Sequence, residues 1–154
     1  VISDLIEDNK KVLDVGCAKG FMLYDLIRLI PGITVKGIDI SEYAINNSKP
    51  EIKNNLQVGN ANKLPWADNT FDLVVSINTL HCLHNYDLEI AMKEMERVGK
   101  NSKYLCVESY RDEVEKANLL YWQVTCEAFN TPEEWRWWFR KTNYNGDYSF
   151  IYFE

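Results

Sequence analysis

The 154-residue sequence has only four cysteines, Cys17, Cys82, Cys106 and Cys126, and no two of them form a C-x-x-C pair. A disulfide scaffold or a zinc framework needs closer or repeated spacing, so they read as free thiols of a reducing compartment and the chain as cytoplasmic. No apolar run approaches the ~20 residues that span a bilayer, and no signal-peptide pattern opens the chain. The first residue is valine, so a natural N-terminus can precede it and carry targeting information. Lysine and arginine number 17 against 23 aspartates and glutamates, for a net charge of −6 and a pI of about 5.0. The cations are scattered without a basic block, which argues against nucleic acid as the main partner. There is no H-E-x-x-H and no cysteine cluster, so no metal is expected. Repeats, low-complexity tracts and linkers are also missing, which leaves a single domain over residues 1–154.

What is present is a 46% apolar chain, enough for one proper core. Residues 1–10 suggest a short helix with Ile2, Leu5 and Ile6 on one face. The stretch 11–30 then reads as strand, glycine turn and helix: an apolar run Val12–Val15 containing Asp14, then Gly16-Cys17-Ala18-Lys19-Gly20, then apolar residues at helical intervals. Glycines let a turn approach a ligand closely, and the helix start offers free N–H groups. A dinucleotide site prefers G-x-G-x-x-G facing a pyrophosphate. Here Ala18 stands in the middle glycine's place and a carboxylate precedes the turn, which suits a ligand carrying positive charge. S-adenosylmethionine (SAM) is such a ligand; a glycine turn with no ligand is the bland alternative.

Residues 33–40 are β-branched and apolar, a second strand. Asp39 near its end lies 23 positions after Gly16, close to the offset of ~20 at which a carboxylate meets a ribose; a helix cap is the competing role. A helix over 41–48 capped by Ser41, a strand over 54–58, a loop over 63–71, a strand over 72–77, a helix over 87–98 stopped by Gly99, and a strand over 102–108 follow. Asn60 after the third strand either meets an adenine edge, since an amide both donates and accepts, or is an ordinary turn residue. The pattern is α/β: a Rossmann-like, mostly parallel sheet of five strands plus a C-terminal strand, with helices on both faces. The polar candidates then share one rim.

The last third reads as a helix over 113–129 with Val114, Ala117, Leu120, Tyr121, Val124 and Ala128 inward. A second helix starts at a Thr131 cap, with Trp135, Trp138 and Phe139 inward. A strand over 147–154 alternates Tyr148, Phe150 and Tyr152 onto one face.

With these residues placed, the chain resembles class I SAM-dependent methyltransferases, closest to the small-molecule branch typified by quinone-biosynthesis enzymes. The matching runs are 12–20, 35–41, 59–76 and 79–83, in the right order and spacing over residues 10–110. The resemblance implies that Asp14, Gly16, Cys17, Ala18 and Gly20 frame the methionine half of SAM. It implies that Asp39 holds the ribose, Ile40 packs on adenine, Asn60 and Ala61 meet the adenine edge, and Ile77 and Asn78 lie near the methionine moiety. Two positions depart from the pattern: Ala18 for glycine and Asn60 for the commoner aspartate. The family's sheet also carries a further antiparallel strand, and its longer N-terminal lid is here about ten residues.

The implied chemistry is direct displacement: a substrate oxygen or nitrogen attacks the activated methyl, leaving S-adenosylhomocysteine (SAH). His81, His84 and Glu108 are the candidates for proton transfer. No N/D-P-P-Y/F run, the signature of amino-group methylation on nucleobases, is present. A small-molecule acceptor follows, with a sugar or nucleotide-sugar preferred because the C-terminal third is aromatic and polar. A non-catalytic SAM/SAH-binding module is the alternative from another class, and a dehydrogenase is disfavoured by Asp14. Oligomeric state is not legible.

Overall fold

The computed structural model describes residues 11–154; the helix expected over residues 1–10 lies outside them. Six strands are described: β1 Lys11–Val15, β2 Thr34–Asp39, β3 Leu56–Val58, β4 Phe71–Ile77, β5 Gly99–Glu108 and β6 Asp147–Ile151. They form one sheet in the order β3-β2-β1-β4-β5-β6, and all five neighbouring pairs are parallel. Every strand end therefore falls on one rim, and the order reverses between β1 and β4, where open α/β sheets place ligands.

Helices cover both faces. On one side α1 Phe21–Leu29, α2 Glu42–Asn46 and α3 Pro50–Lys53 enclose Val12, Leu23, Leu26, Val35, Ile45, Ile52, Leu73 and Val75. On the other, α4 Asn85–Val98 and α6 Pro132–Lys141 enclose Leu13, Val74, Leu88, Met92, Met95, Leu105, Trp135 and Phe139. Strands buried on both faces explain the continuous apolar runs at 12–15 and 104–107. Arg97 fixes the loop before β4 by donating to the carbonyls of Leu64 and Trp66 and to the Glu94 and Asp68 carboxylates. No described helix is long and apolar enough to cross a membrane.

Two elements differ from expectation. The helix α5 spans Glu113–Trp122 and stops seven residues short of Phe129. There Gln123 turns its amide to Glu108, and the N–H groups of Glu127 and Ala128 donate to the His81 carbonyl, both at 2.9 Å. Those tertiary bonds replace further helical turns. Of its expected inner stripe only Ala128 is buried: Leu119 and Glu115 face inward instead, while Val114, Leu120, Tyr121 and Val124 are exposed. The short α3, with Pro50 at its first turn, was not anticipated. The C-terminal strand pairs directly with β5 in parallel, so no antiparallel strand occurs among the described residues.

Candidate cofactor site

The turn after β1 is built from left-handed backbone. Gly16, Ala18 and Gly20 have φ of 85°, 47° and 71°, a region L-residues enter at a cost. At Gly16 a side chain is impossible for a second reason: a Cβ would collide with Thr79. The N–H groups of Gly16 and Cys17 both donate to the Ile38 carbonyl, at 2.8 and 3.1 Å, which docks the turn on the end of β2. Gly20 caps α1 without a side-chain bond.

Asp39 closes the other side. One carboxylate oxygen accepts from the Ala18 N–H at 2.7 Å and the other from the Ser41 N–H at 2.8 Å. Ser41 in turn caps α2 by accepting from Ala44. The helix cap is thus Ser41, while Asp39 holds the backbone of that capping residue and braces the glycine turn. Each of its oxygens keeps a further lone pair for a ligand hydroxyl.

Between turn and strand ends lies a cavity of about 160 Å³ lined by Val15, Gly16, Ile38, Asp39, Ile40, Gly59, Asn60, Ala61, Thr79, Leu83 and Asp87. A depression of about 390 Å³ adjoins it through Ile38, Gly59 and Asn60. The cavity alone is smaller than the ~300–1,000 Å³ of ordinary ligand pockets, and with the depression it reaches that range. Ile40 is 74% exposed at its mouth, an apolar surface for a flat ring. Asn60 accepts from the Asn62 N–H through its side-chain oxygen at 3.1 Å, an Asx-type turn.

Asp14 is buried in β1, just before the wall residues Val15 and Gly16. Burial, and then the charge of Asp39, push its carboxyl up to about 7. Asp39 and Asp87, both in the cavity wall, make this a site for positive charge and a poor one for pyrophosphate. A nucleoside with a sulfonium and an ammonium fits the donor set. Cys17 contributes backbone only: its thiol is buried 3.7 Å from the Ala18 carbonyl, with its pKa raised by burial and by Asp14 and Asp39.

The remaining candidates are distributed around the rim. Ile77 and Asn78 do not line the cavity. Asn78 has φ 55°, and its N–H donates to the Cys106 carbonyl at 2.9 Å. His81 is 1% exposed, which corrects the expectation of an imidazole open on the rim. Its Nδ1 accepts from the Glu108 N–H at 3.3 Å, its Nε2 lies 3.3 Å from the Glu108 carboxylate, and burial lowers its pKa to about 4. Glu108 is also buried and its pKa is raised by that burial. His84 is exposed, stacked on Tyr86, with Nδ1 3.5 Å from the Glu127 carboxylate.

Six lining residues were missed as site members: the strand-end residues Val15, Ile38 and Gly59, and Thr79, Leu83 and Asp87. Thr79 fills the space beneath Gly16, Leu83 follows the 3₁₀ turn Leu80–Cys82, and Asp87 in the first turn of α4 accepts from Asn62 at 2.7 Å. Thr79 and Leu83 stood inside a matched run, and Asp87 was only the first residue of an expected helix; packing brings them together. Among the described residues no three His, Cys, Asp or Glu side chains are grouped to hold a metal.

A family model described as "Methyltransferase domain" matches residues 6–143. A demethylmenaquinone methyltransferase of Bacillus cytotoxicus is 33% identical over 112 residues, covering 68% of this chain and 46% of that protein. The mitochondrial arginine-hydroxylase NDUFAF5 of Mus musculus is 33% identical over 100 residues, covering 64% of this chain and 28% of its own length. A solved methyltransferase of Haloferax volcanii, in complex with its Trm112 activator, superposes with a TM-score of 0.73 at 23% identity, over 89% of this chain and 62% of that one. The chain spans less than half the length of these two sequence relatives.

Proposed function

The chain belongs to the class I SAM-dependent methyltransferases, and from that premise we propose that it moves a methyl group from SAM to an oxygen or nitrogen of a small molecule. The observation that carries the reading is the carboxylate-lined cavity between the Gly16–Gly20 turn and Asp39. Asp39 would accept from the ribose hydroxyls with its free lone pairs. Asn60 and Ala61 would meet the adenine edge, and Ile40 would flank the ring. Asp14, Gly16 and Gly20, with backbone at Ile77 and Asn78, would hold the amino-acid half. Bound there, SAM supplies a methyl on a cationic sulfur, so the protein's task is to align an acceptor and exclude water.

His81 and Glu108 act in this reading as a buried positioning pair at the ends of β4 and β5. His84 is the better proton acceptor, because it is exposed beside the cavity residue Leu83 and faces the Glu127 carboxylate. The acceptor is a small molecule with an apolar or CH-rich face, such as a sugar or nucleotide-sugar. The support is the pair Tyr121 and Trp122, 86% and 69% exposed, at the end of α5 beside Gln123 and Glu108. A cytoplasmic location goes with the free thiols. The test is turnover: SAM carrying a labelled methyl, offered with a panel of small hydroxyl and amine acceptors. Acceptor-dependent SAH formation that drops in His84→Ala supports transfer. Saturable SAH binding with no turnover across the panel would favour the non-catalytic module.

A further inference from the structure

A further cavity lies away from the cofactor rim. α6 starts at the rim, where the Ser109 hydroxyl donates to the Asn130 carbonyl, and runs back toward the N-terminal ends of the strands. The chain turns there at Asn143, φ 55°, and enters β6, whose first residue Asp147 pairs with Tyr104 near the middle of β5. Between α6 and β6 this leaves a groove of about 520 Å³ lined by Arg136, Phe139, Arg140, Asn143, Tyr144 and Tyr148.

Its chemistry is specific. Arg136 and Arg140 are one helical turn apart, so both guanidinium groups face one side. Of the other arginines, Arg97 is engaged by Glu94 and Asp68 and Arg111 by Glu115 and Glu154, and Arg28 lies over the Tyr24 ring. Arg136 itself faces β6 over the Phe150 ring at 5.8 Å. Among the described residues neither Arg136 nor Arg140 forms an ion pair. In an acidic protein, two adjacent guanidinium groups without acids invite an external anion, and their planar forks match phosphate oxygens. The floor is aromatic: Tyr148, 40% exposed, packs on Phe139 with ring centres 4.6 Å apart. The Tyr144 hydroxyl is turned away, donating to the Asp147 carbonyl at 2.7 Å. Asn143 adds an exposed amide to the lining. Glu96 and Asp147 lie on the Tyr144 side, so a single arginine would be offset by them and both are needed.

We propose that this groove is a second binding site, for a phosphorylated, ring-bearing small molecule of nucleotide size, with Arg136 and Arg140 on the phosphate and Tyr148 against the ring. The volume lies in the range of small-ligand sites. The site is remote from the strand C-termini, so its occupant is an effector and receives no methyl.

The test titrates the protein with AMP by calorimetry in the presence of saturating SAH, which blocks the adenosine site. One AMP per chain is expected, weakened by about tenfold or more in Arg136→Gln/Arg140→Gln and by about threefold in Tyr148→Ala. These side chains are at the surface, and unchanged SAH binding by the variants shows that they fold. Absence of AMP binding, binding indifferent to the double substitution, or inorganic phosphate binding as tightly as AMP would each overturn the proposal. If the protein fails to bind SAH at all, the cofactor reading falls separately, and AMP titrated alone against the arginine double variant still decides this one.

Discussion

Asp14 is a carboxylate held in a strand where water does not reach it, with a second carboxylate, Asp39, adding to the cost of its charge. Its folded pKa, about 7, lies above the ordinary 3.8, so between those pH values the folded chain binds more protons than the unfolded one. The contribution to stability therefore falls as pH rises through that window. Asp14→Asn removes the titration. Ligand-free Asp14→Asn is expected to be more stable than the parent at pH 8 by about 1–3 kcal/mol, with the difference shrinking toward pH 4, followed by thermal unfolding against pH. Equal pH dependence in the two proteins would contradict this account of Asp14. Asp39 was legible from its offset after Gly16 because that offset reflects one strand–helix–strand length. The burial of His81 was not legible, because it depends on the 123–128 segment folding back over the 3₁₀ turn. Ala18 illustrates a middle case: its small size permits the close approach, and its left-handed backbone, φ 47°, shows that the turn keeps a glycine-like shape without glycine.

At the scale of elements, the ends that carry chemical signals were readable. Thr131-Pro132-x-Glu134 forms the anticipated helix start as a full capping box: Thr131 accepts from the Glu134 N–H, and the Glu134 carboxylate accepts from the Thr131 N–H. That box aims Trp135 into the core, where its indole N–H donates to the Glu108 carbonyl at 2.9 Å. Thr131→Ala is expected to cost about 1 kcal/mol, measured by denaturant unfolding, and to leave SAH affinity unchanged because α6 does not line the cavity. A loss of SAH binding would show that α6 and the rim are coupled. The α5 error has the opposite origin. Apolar residues at 114, 117, 121, 124 and 128 follow a helical period, yet the chain leaves the helix at Trp122 and exposes most of them. Period alone does not reveal which side of a helix faces the core when a sheet edge and a rim compete for it.

For the whole molecule, the parallel sheet gathers residues far apart in sequence onto one rim. Gly16, Asp39, Asn60 and Thr79 come from the ends of four different strands. Parallel pairing follows from alternating strand and helix patterns, so this gathering could be read before the structure. The direct parallel pairing of β6 on β5 could not, since nothing in a short alternating strand encodes its direction. The excess of acid, a net charge of −6, is put to use where Asp39 and Asp87 line one cavity, while Arg136 and Arg140 line the groove between α6 and β6. The most direct test of that cavity as a SAM site is a calorimetric titration with SAH, run on the parent and on Asp39→Ala. The account predicts saturable one-to-one binding that weakens by ~1.5–3 kcal/mol in the variant, the scale of hydrogen bonds to a charged group. Saturable binding of equal strength in both folded proteins would contradict it.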